Sequence, residues 1–228
     1  MSAYRKLGDL EKAMEIVSGD FYWATKTKNM SIFAVADCTG HGVPGALMSM
    51  LGISFLQEIV IKNNNAKPAV ILDRLREAII EALKQKGRYG DQREGMNIAL
   101  CVLNNSNNTL KFAGANNSLI IINENNKLKV LEPDKQPIAI HRKMKAFTEQ
   151  EVKLNKGDVI YLLSDGFYDQ FGGPNYKRFG EKQLRKLFAE IVVNNMETQK
   201  DILNHVFENW KGENDQIDDV CILGLKIV

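Results

Sequence analysis

Between Asn97 and Leu163 the hydrophobic period is that of strands, and this block lies between two pairs of helical patterns. The strand-like runs are Asn97 to Leu103, Thr109 to Ala113, Leu119 to Ile122, Leu128 to Leu131, Phe147 to Leu154 and Val159 to Leu163. Turn-rich stretches such as Asn104-Asn105-Ser106-Asn107-Asn108 and Asn123 to Asn126 divide them, which predicts an antiparallel meander. Strands that come in blocks, instead of alternating singly with helices, argue for an α+β chain with helices packed over antiparallel sheets.

Upstream, Phe21 to Lys26 and Ser31 to Ala36 are rich in β-branched and aromatic residues, and Thr27-Lys28-Asn29 separates them as in a hairpin. A helix is predicted from Pro44, with Leu47, Leu51, Phe55 and Ile59 four apart, and a second from Pro68, with Ile71, Leu75 and Ile79. The polar run Lys84 to Glu94 closes this part. Two further helices, Lys182 to Asn194 and Thr198 to Trp210, precede a last strand from Val220 to Ile227.

At 228 residues, 44% hydrophobic and 25% charged, one domain around a shared core is expected over 1–228. Thirty Lys+Arg against 28 Asp+Glu, with no long basic run, argue against nucleic acid as a partner. Cys38, Cys101 and Cys221 are odd in number and far apart, so neither a disulfide framework nor a zinc knuckle is expected, and a reducing cytoplasm fits. No signal peptide is read near Met1. The apolar stretch Val43 to Ile61, interrupted by Ser49, Gly52, Ser54, Gln57 and Glu58, reads as a buried helix and not as a membrane insertion.

If the first hairpin turns about Lys28-Asn29, paired residues have numbers that sum to 57, and Asp20 then faces Asp37. Cross-strand neighbours lie about 4.5–5.5 Å apart at Cβ, and like charges so close are destabilising unless a cation sits between them. Val159 to Leu163 runs into Ser164-Asp165-Gly166, and Asp218-Asp219 open the final strand. Antiparallel neighbours can therefore gather Asp20, Asp37, Asp165 and Asp218 along one sheet edge. An oxygen-only set favours magnesium or manganese over zinc, and two such ions can activate a water for phosphate ester hydrolysis.

The segments Ser18-Gly19-Asp20-Phe21-Tyr22, Asp37-Cys38-Thr39-Gly40-His41-Gly42-Val43-Pro44-Gly45-Ala46, Phe112-Ala113-Gly114-Ala115-Asn116, Ser164-Asp165-Gly166 and Asp218-Asp219 resemble one family in order and spacing. It is the bacterial SpoIIE/RsbU-type branch of the metal-dependent, protein phosphatase 2C-like enzymes. The likeness runs from about Ile16 to Val228. It implies a four-layer α/β/β/α sandwich of two antiparallel sheets flanked by helices, with two manganese or magnesium ions at one end and a third as an option. Asp37 would bridge the ions, the Cys38 carbonyl and Asp20 would serve one, and Asp165 and Asp218 the other, with Asp218 and Asp219 open to exchange of roles. The resemblance further implies phosphoserine or phosphothreonine on a regulatory protein, often a STAS-type anti-sigma-factor antagonist, as substrate. It also implies a place as the output domain of a longer sensor, and leaves a homodimer through helices open.

Two positions depart from that pattern. Asn97 stands where close relatives usually carry Asp, which keeps a weakened phosphatase-fold signalling or binding module in view beside the active enzyme. His41 lies four residues after Asp37, where the eukaryotic relatives have a histidine two after, so it reads either as a general acid or as part of a tight turn before the helix. Phe167 to Pro174 reads as a rim over the substrate or as a plain connection. His141 and His205 are read as ordinary residues, and Met48, Met50 and Leu51 as core. A nuclease or nucleotidyl cyclase is disfavoured because no basic groove or Gly-rich phosphate cradle is present.

Overall fold

The computed structural model describes residues 6–27, 29–62, 67–87 and 94–228. Lys28 at the hairpin tip and part of the run Lys84 to Glu94 lie outside the described residues. In chain order the elements are β1 (Lys6–Lys12), β2 (Phe21–Lys26), β3 (Met30–Cys38), α1 (Gly42–Lys62), α2 (Pro68–Ala82), β4 (Met96–Asn104), β5 (Thr109–Ala115), β6 (Leu119–Ile122), β7 (Leu128–Leu131), β8 (Gln150–Lys153), β9 (Val159–Leu163), α3 (Gly166–Asp169), β10 (Phe171–Gly172), β11 (Lys177–Arg178), α4 (Glu181–Ile191), α5 (Met196–Lys211) and β12 (Val220–Lys226).

Two five-stranded antiparallel sheets result, ordered β2-β3-β4-β5-β8 and β1-β12-β9-β6-β7. Alternation along each strand sends one set of side chains between the sheets and the other toward a helix pair. In β3, Phe33 and Val35 join Ile160, Leu162 and Leu223 in the inter-sheet core, while Ile32, Ala34 and Ala36 pack with Leu56, Leu72 and Leu75 of α1 and α2. On the opposite side Ile120, Tyr161 and Ile222 meet Phe188 of α4 and Leu203 and Phe207 of α5. The α+β expectation and the four layers are therefore observed.

The single meander is corrected. β4 and β5 stay in one sheet, β6 and β7 form a hairpin in the other, β8 returns to the first and β9 to the second. All four residues of β6 and all five of β9 are buried. Strands apolar on both faces cannot sit in a sheet with one wet side, and the sandwich covers both faces. The run Phe147 to Leu154 pairs only over Gln150–Lys153, because the Phe147 and Thr148 amides are taken by the carboxylates of Asp73 and Asp134. β1 was not anticipated; it pairs with β12 from Lys6↔Lys226 to Lys12↔Val220.

The phase of α1 is also corrected. The face on the sheet is Gly45, Met48, Ser49, Gly52, Leu56 and Val60, whereas Leu47 is 62% and Met50 68% exposed. Small residues in the buried stripe, Gly45, Ser49 and Gly52, let this helix approach the sheet, and of the expected repeat Leu51, Phe55 and Ile59 flank that stripe, partly buried against the same core, while Leu47 alone turns outward. By length and composition α1 could cross a membrane, yet Met48, Leu56 and Val60 are part of the core. Gly45 makes the closest approach: a Cβ there would lie 2.3 Å from the Gly40 carbonyl oxygen and 2.9 Å from Gly19 Cα. Gly45→Ala is expected to cost about 1–3 kcal/mol, as overpacking does. Because Gly19 precedes Asp20, the same strain should reach that carboxylate, and thermal unfolding of the variant reads the loss.

Candidate metal centre

The first hairpin pairs Phe21 with Ala36 and Tyr22 with Val35, so the numbers sum to 57 and the next pair outward is Asp20 and Asp37. At the same end, β9 and β12 pair Leu163 with Ile222, and the Ser164 amide donates to the Cys221 carbonyl at 2.9 Å. This sets Asp165, just beyond β9, beside Asp218 and Asp219, just before β12. The sandwich thus carries acids from both sheets at one end.

Their electrostatics show how close they are. Burial, and then the charge of Asp37, pushes Asp20 up to about 9, partly offset by the Ser164 hydroxyl. Asp37 rises to about 7 through burial and Asp165, against a lowering hydrogen bond from Asn97. Asp165 rises to about 6 through burial and Asp218. Asp218 is raised chiefly by burial. Burial also pushes the Cys38 thiol up, so no thiolate is expected there, and all three cysteines are buried and free.

Such a cluster fits a divalent cation. Asp20 is only 4% exposed, and its Oδ2 is buried without a hydrogen-bond partner. An orphaned buried carboxylate oxygen among mutually repelling acids is satisfied by a hard ion with oxygen ligands. Among the described residues, however, no three His, Cys, Asp or Glu side chains already converge as a finished cage.

Neighbouring groups hold the acids. Gly166 must lack a side chain, since a Cβ would lie 2.1 Å from the Asp219 carbonyl oxygen. Both oxygens of Asp219 are used: the Met14 and Gly19 amides donate to them at 2.7 Å each, which fastens the segment leading to Asp20. The Asp218 Oδ1 accepts from the Asp219 amide at 2.8 Å. Ser49 Oγ lies 2.8 Å from the Gly19 carbonyl and 3.0 Å from that of Gly45, bridging α1 to the same segment.

Asn97 pairs with Asp37 across β3 and β4, and its Nδ2 donates to Asp37 Oδ2 at 3.3 Å. The Asn97 Oδ1 in turn accepts from Asn116 Nδ2 at 2.8 Å. Asn116 holds a left-handed backbone (φ 58°) and its amide donates to the Asp134 carbonyl. The segment Phe112 to Asn116 is among those that carry the family resemblance, but no role was expected for Asn116 itself, a residue type that tolerates this conformation.

His41 is exposed and its Nδ1 lies 2.7 Å from Glu15 Oε1. The pair ties the segment before Asp20 to the turn before α1, and neither sequence reading of His41 included Glu15. The segment after Asp165 forms α3 and then the β10–β11 hairpin, with Arg178 Nη1 2.9 Å from Asp169 Oδ1. His141 and His205 lie apart from the acids; His205 Nε2 contacts Asn209 at 2.8 Å.

Two antiparallel sheets between helix pairs, with acids at the end shared by the open side of the β2–β3 hairpin and the β9–β12 pair, define the protein phosphatase 2C-type fold. The SiaA-PP2C domain of Pseudomonas aeruginosa has this fold with a TM-score of 0.88 and 27% identity, over 97% of this chain and 86% of that one. The PP2C phosphatase domain, with a regulatory fragment, of the cell fate determinant SpoIIE from Bacillus subtilis follows at 0.81 and 16%, over 100% and 64%. RsbX, solved in complex with magnesium, matches at 0.65 and 13%, over 98% and 94%. None of the curated proteins matches in sequence. The sequence model of the family described as Stage II sporulation protein E (SpoIIE) matches residues 28–228, and the chain belongs to that family of PP2C-type serine/threonine phosphatase domains.

Proposed function

We propose that this chain is an active, manganese- or magnesium-dependent phosphoprotein phosphatase. The observation that carries the reading is the buried, partnerless Oδ2 of Asp20 among aspartates that raise one another's pKa. When bound, a pair of divalent ions supplies an activated water and charge neutralisation at the phosphoryl group. Asp37 would bridge the pair, with Asp20 and the Cys38 carbonyl on one side and Asp165 and Asp218 on the other. Asp219 acts through the backbone it fastens, and Asn97 orients Asp37 by donating to one of its oxygens. Family membership supports, as the proposed substrate, a phosphoserine or phosphothreonine on a regulatory protein, with a STAS-type antagonist as the first candidate. Residues 1–228 would be one catalytic domain of a longer signalling protein. The test is hydrolysis of p-nitrophenyl phosphate with manganese, with magnesium and with chelator.

A second reading, a slow signalling module, has its motive in Asn97, which gives an amide where a carboxylate could add charge. Its hydrogen bond to Asp37 favours the active reading, because an aspartate there would face Asp37 with a like charge. Asn97→Asp is therefore expected to leave the rate with manganese within roughly tenfold, about 1.4 kcal/mol of barrier, and to lower the Tm in chelator. A larger gain in rate would establish the second reading.

A further inference from the structure

The hairpin that follows Asp165 carries an arginine to the rim of the acids. The Asp169 amide donates to the Asp165 carbonyl at 3.0 Å, so α3 sets Asp169 one helical turn beyond Asp165 and on the same face. Residues so spaced lie about 5–6 Å apart at Cβ. Arg178, on β11, gives its Nη1 to Asp169 Oδ1 at 2.9 Å, which brings the guanidinium beside the metal centre. Burial and Asp218 raise Asp165, and the charge of Arg178 is among the influences that oppose them.

This side chain is held in place and yet open. β10 and β11 pair through Phe171↔Arg178 and Gly172↔Lys177, too short a ladder to fix a hairpin by itself. Neighbours fix it instead: the Gly173 amide donates to the Trp210 carbonyl at 2.8 Å, the Phe179 amide to the Gln170 carbonyl at 3.0 Å and the Gly180 amide to the Tyr168 carbonyl at 2.7 Å. The guanidinium carbon stands 5.6 Å from the centre of the Phe171 ring, which packs in turn on Tyr176. The Arg178 side chain is nonetheless 59% exposed, and Asp169 is its single hydrogen-bond partner among the described residues. A guanidinium has five N–H donors, so its Nε–Nη2 edge is left for a ligand.

The charges favour a phosphoryl group as that ligand. The carboxylates of Asp20, Asp37, Asp165 and Asp218 would neutralise a pair of divalent ions, so the negative charge that a phosphate monoester adds must be met by the surrounding chain. A planar guanidinium edge matches two phosphoryl oxygens, and a side chain already pinned loses little freedom in binding them.

We infer that Arg178 binds non-bridging oxygens of the phosphoryl group at the acids, as a substrate-binding residue that the β10–β11 hairpin delivers to the site. The inference rests on the phosphatase reading for its ligand, and on the pinned, exposed guanidinium for its chemistry. Asp169 then orients the fork.

The experiment measures KM for p-nitrophenyl phosphate and, by calorimetry, Kd for inorganic phosphate, both with magnesium, in the wild type and in Arg178→Gln, Arg178→Lys and Lys177→Gln. Arg178→Gln should raise both constants about tenfold, the size of one charge-assisted hydrogen bond. Its kcat should change little, as for a contact made equally in ground and transition states, and its affinity for magnesium should not fall. Arg178→Lys, which keeps the charge without the fork, should lie between. Lys177→Gln removes an equal charge from the other face of β11 and should leave both constants unchanged. Should the wild type bind phosphate but hydrolyse nothing, the phosphatase reading fails alone, and the phosphate Kd still decides the role of Arg178. No phosphate binding by the magnesium-loaded wild type would overturn the inference, as would an unchanged Kd in Arg178→Gln or an equal loss in Lys177→Gln. If Arg178→Gln unfolds, Arg178→Lys decides: wild-type affinity for phosphate in that variant overturns it.

Discussion

Asp37→Asn is expected to reduce manganese-dependent hydrolysis of p-nitrophenyl phosphate by more than roughly 100-fold, beyond the usual cost of losing a group that merely supports a metal ligand. The same change should raise the Tm of the chelated protein at pH 8. Both effects have one cause. Asp37 is the largest charged contributor to the raised pKa of Asp20, and is itself raised by Asp165. An isosteric amide keeps the shape and the contact with Asn97 but removes one of the crowded negative charges that a divalent ion would need. Retained metal-dependent activity would remove Asp37 from the centre. Lost activity with a lower Tm in chelator would mean that its charge is not a source of strain in the metal-free fold.

Without metal, stability should fall as pH rises from 6 to 9, and manganese should largely suppress that fall. Asp20 near 9, Asp37 near 7 and Asp165 near 6 all exceed the ordinary carboxylate value of 3.8. The folded state therefore holds protons that the unfolded chain has released. Stability contributed by these groups is fully present below pH 3.8 and is lost as pH rises through the three folded values. Each such proton corresponds to about 1.4 kcal/mol per pH unit where it is fully retained. Manganese at about a hundred times its Kd adds about 2.7 kcal/mol, a rise in Tm on the order of 5–10 °C for a chain of this size. The rise should be larger at pH 8 than at pH 6, because protons and the ion compete for the same oxygens. Thermal unfolding across pH in chelator and in manganese measures both; a metal-free Tm that increases between pH 6 and 9 would contradict the electrostatic account.

Glu15 and Asp219 show a further property of the site. Glu15 fastens the stretch between β1 and Asp20 to His41 in the turn before α1, and Asp219 fastens the same stretch to the acids through the Met14 and Gly19 amides. Asp20 is thus positioned from two directions, by the hairpin register and by this stretch. Ser49 adds a third hold from α1.

What the sequence determined by itself was local or periodic. The hairpin register followed from the short turn between two β-rich runs, since a two-residue side-chain period makes the pairing of Asp20 with Asp37 arithmetic once the turn is placed. The acids after β9 and before β12 were legible because apolar strands ending in Ser164-Asp165-Gly166 and starting after Asp218-Asp219 mark their own ends. Tertiary structure alone decided which strands share a sheet, which face of α1 is buried and what each polar group near the acids holds. Runs such as Leu119 to Ile122 are apolar on both faces, so nothing in their pattern tells one sheet from the other. In α1, Gly45, Ser49 and Gly52 face the sheet because close backbone approach rewards small side chains, a preference that a count of large apolar residues does not register. Asp219 and Asn116 are distant in sequence from the groups they serve, and only folding brings the Gly19 amide to Asp219 and the Asn97 side-chain oxygen to Asn116.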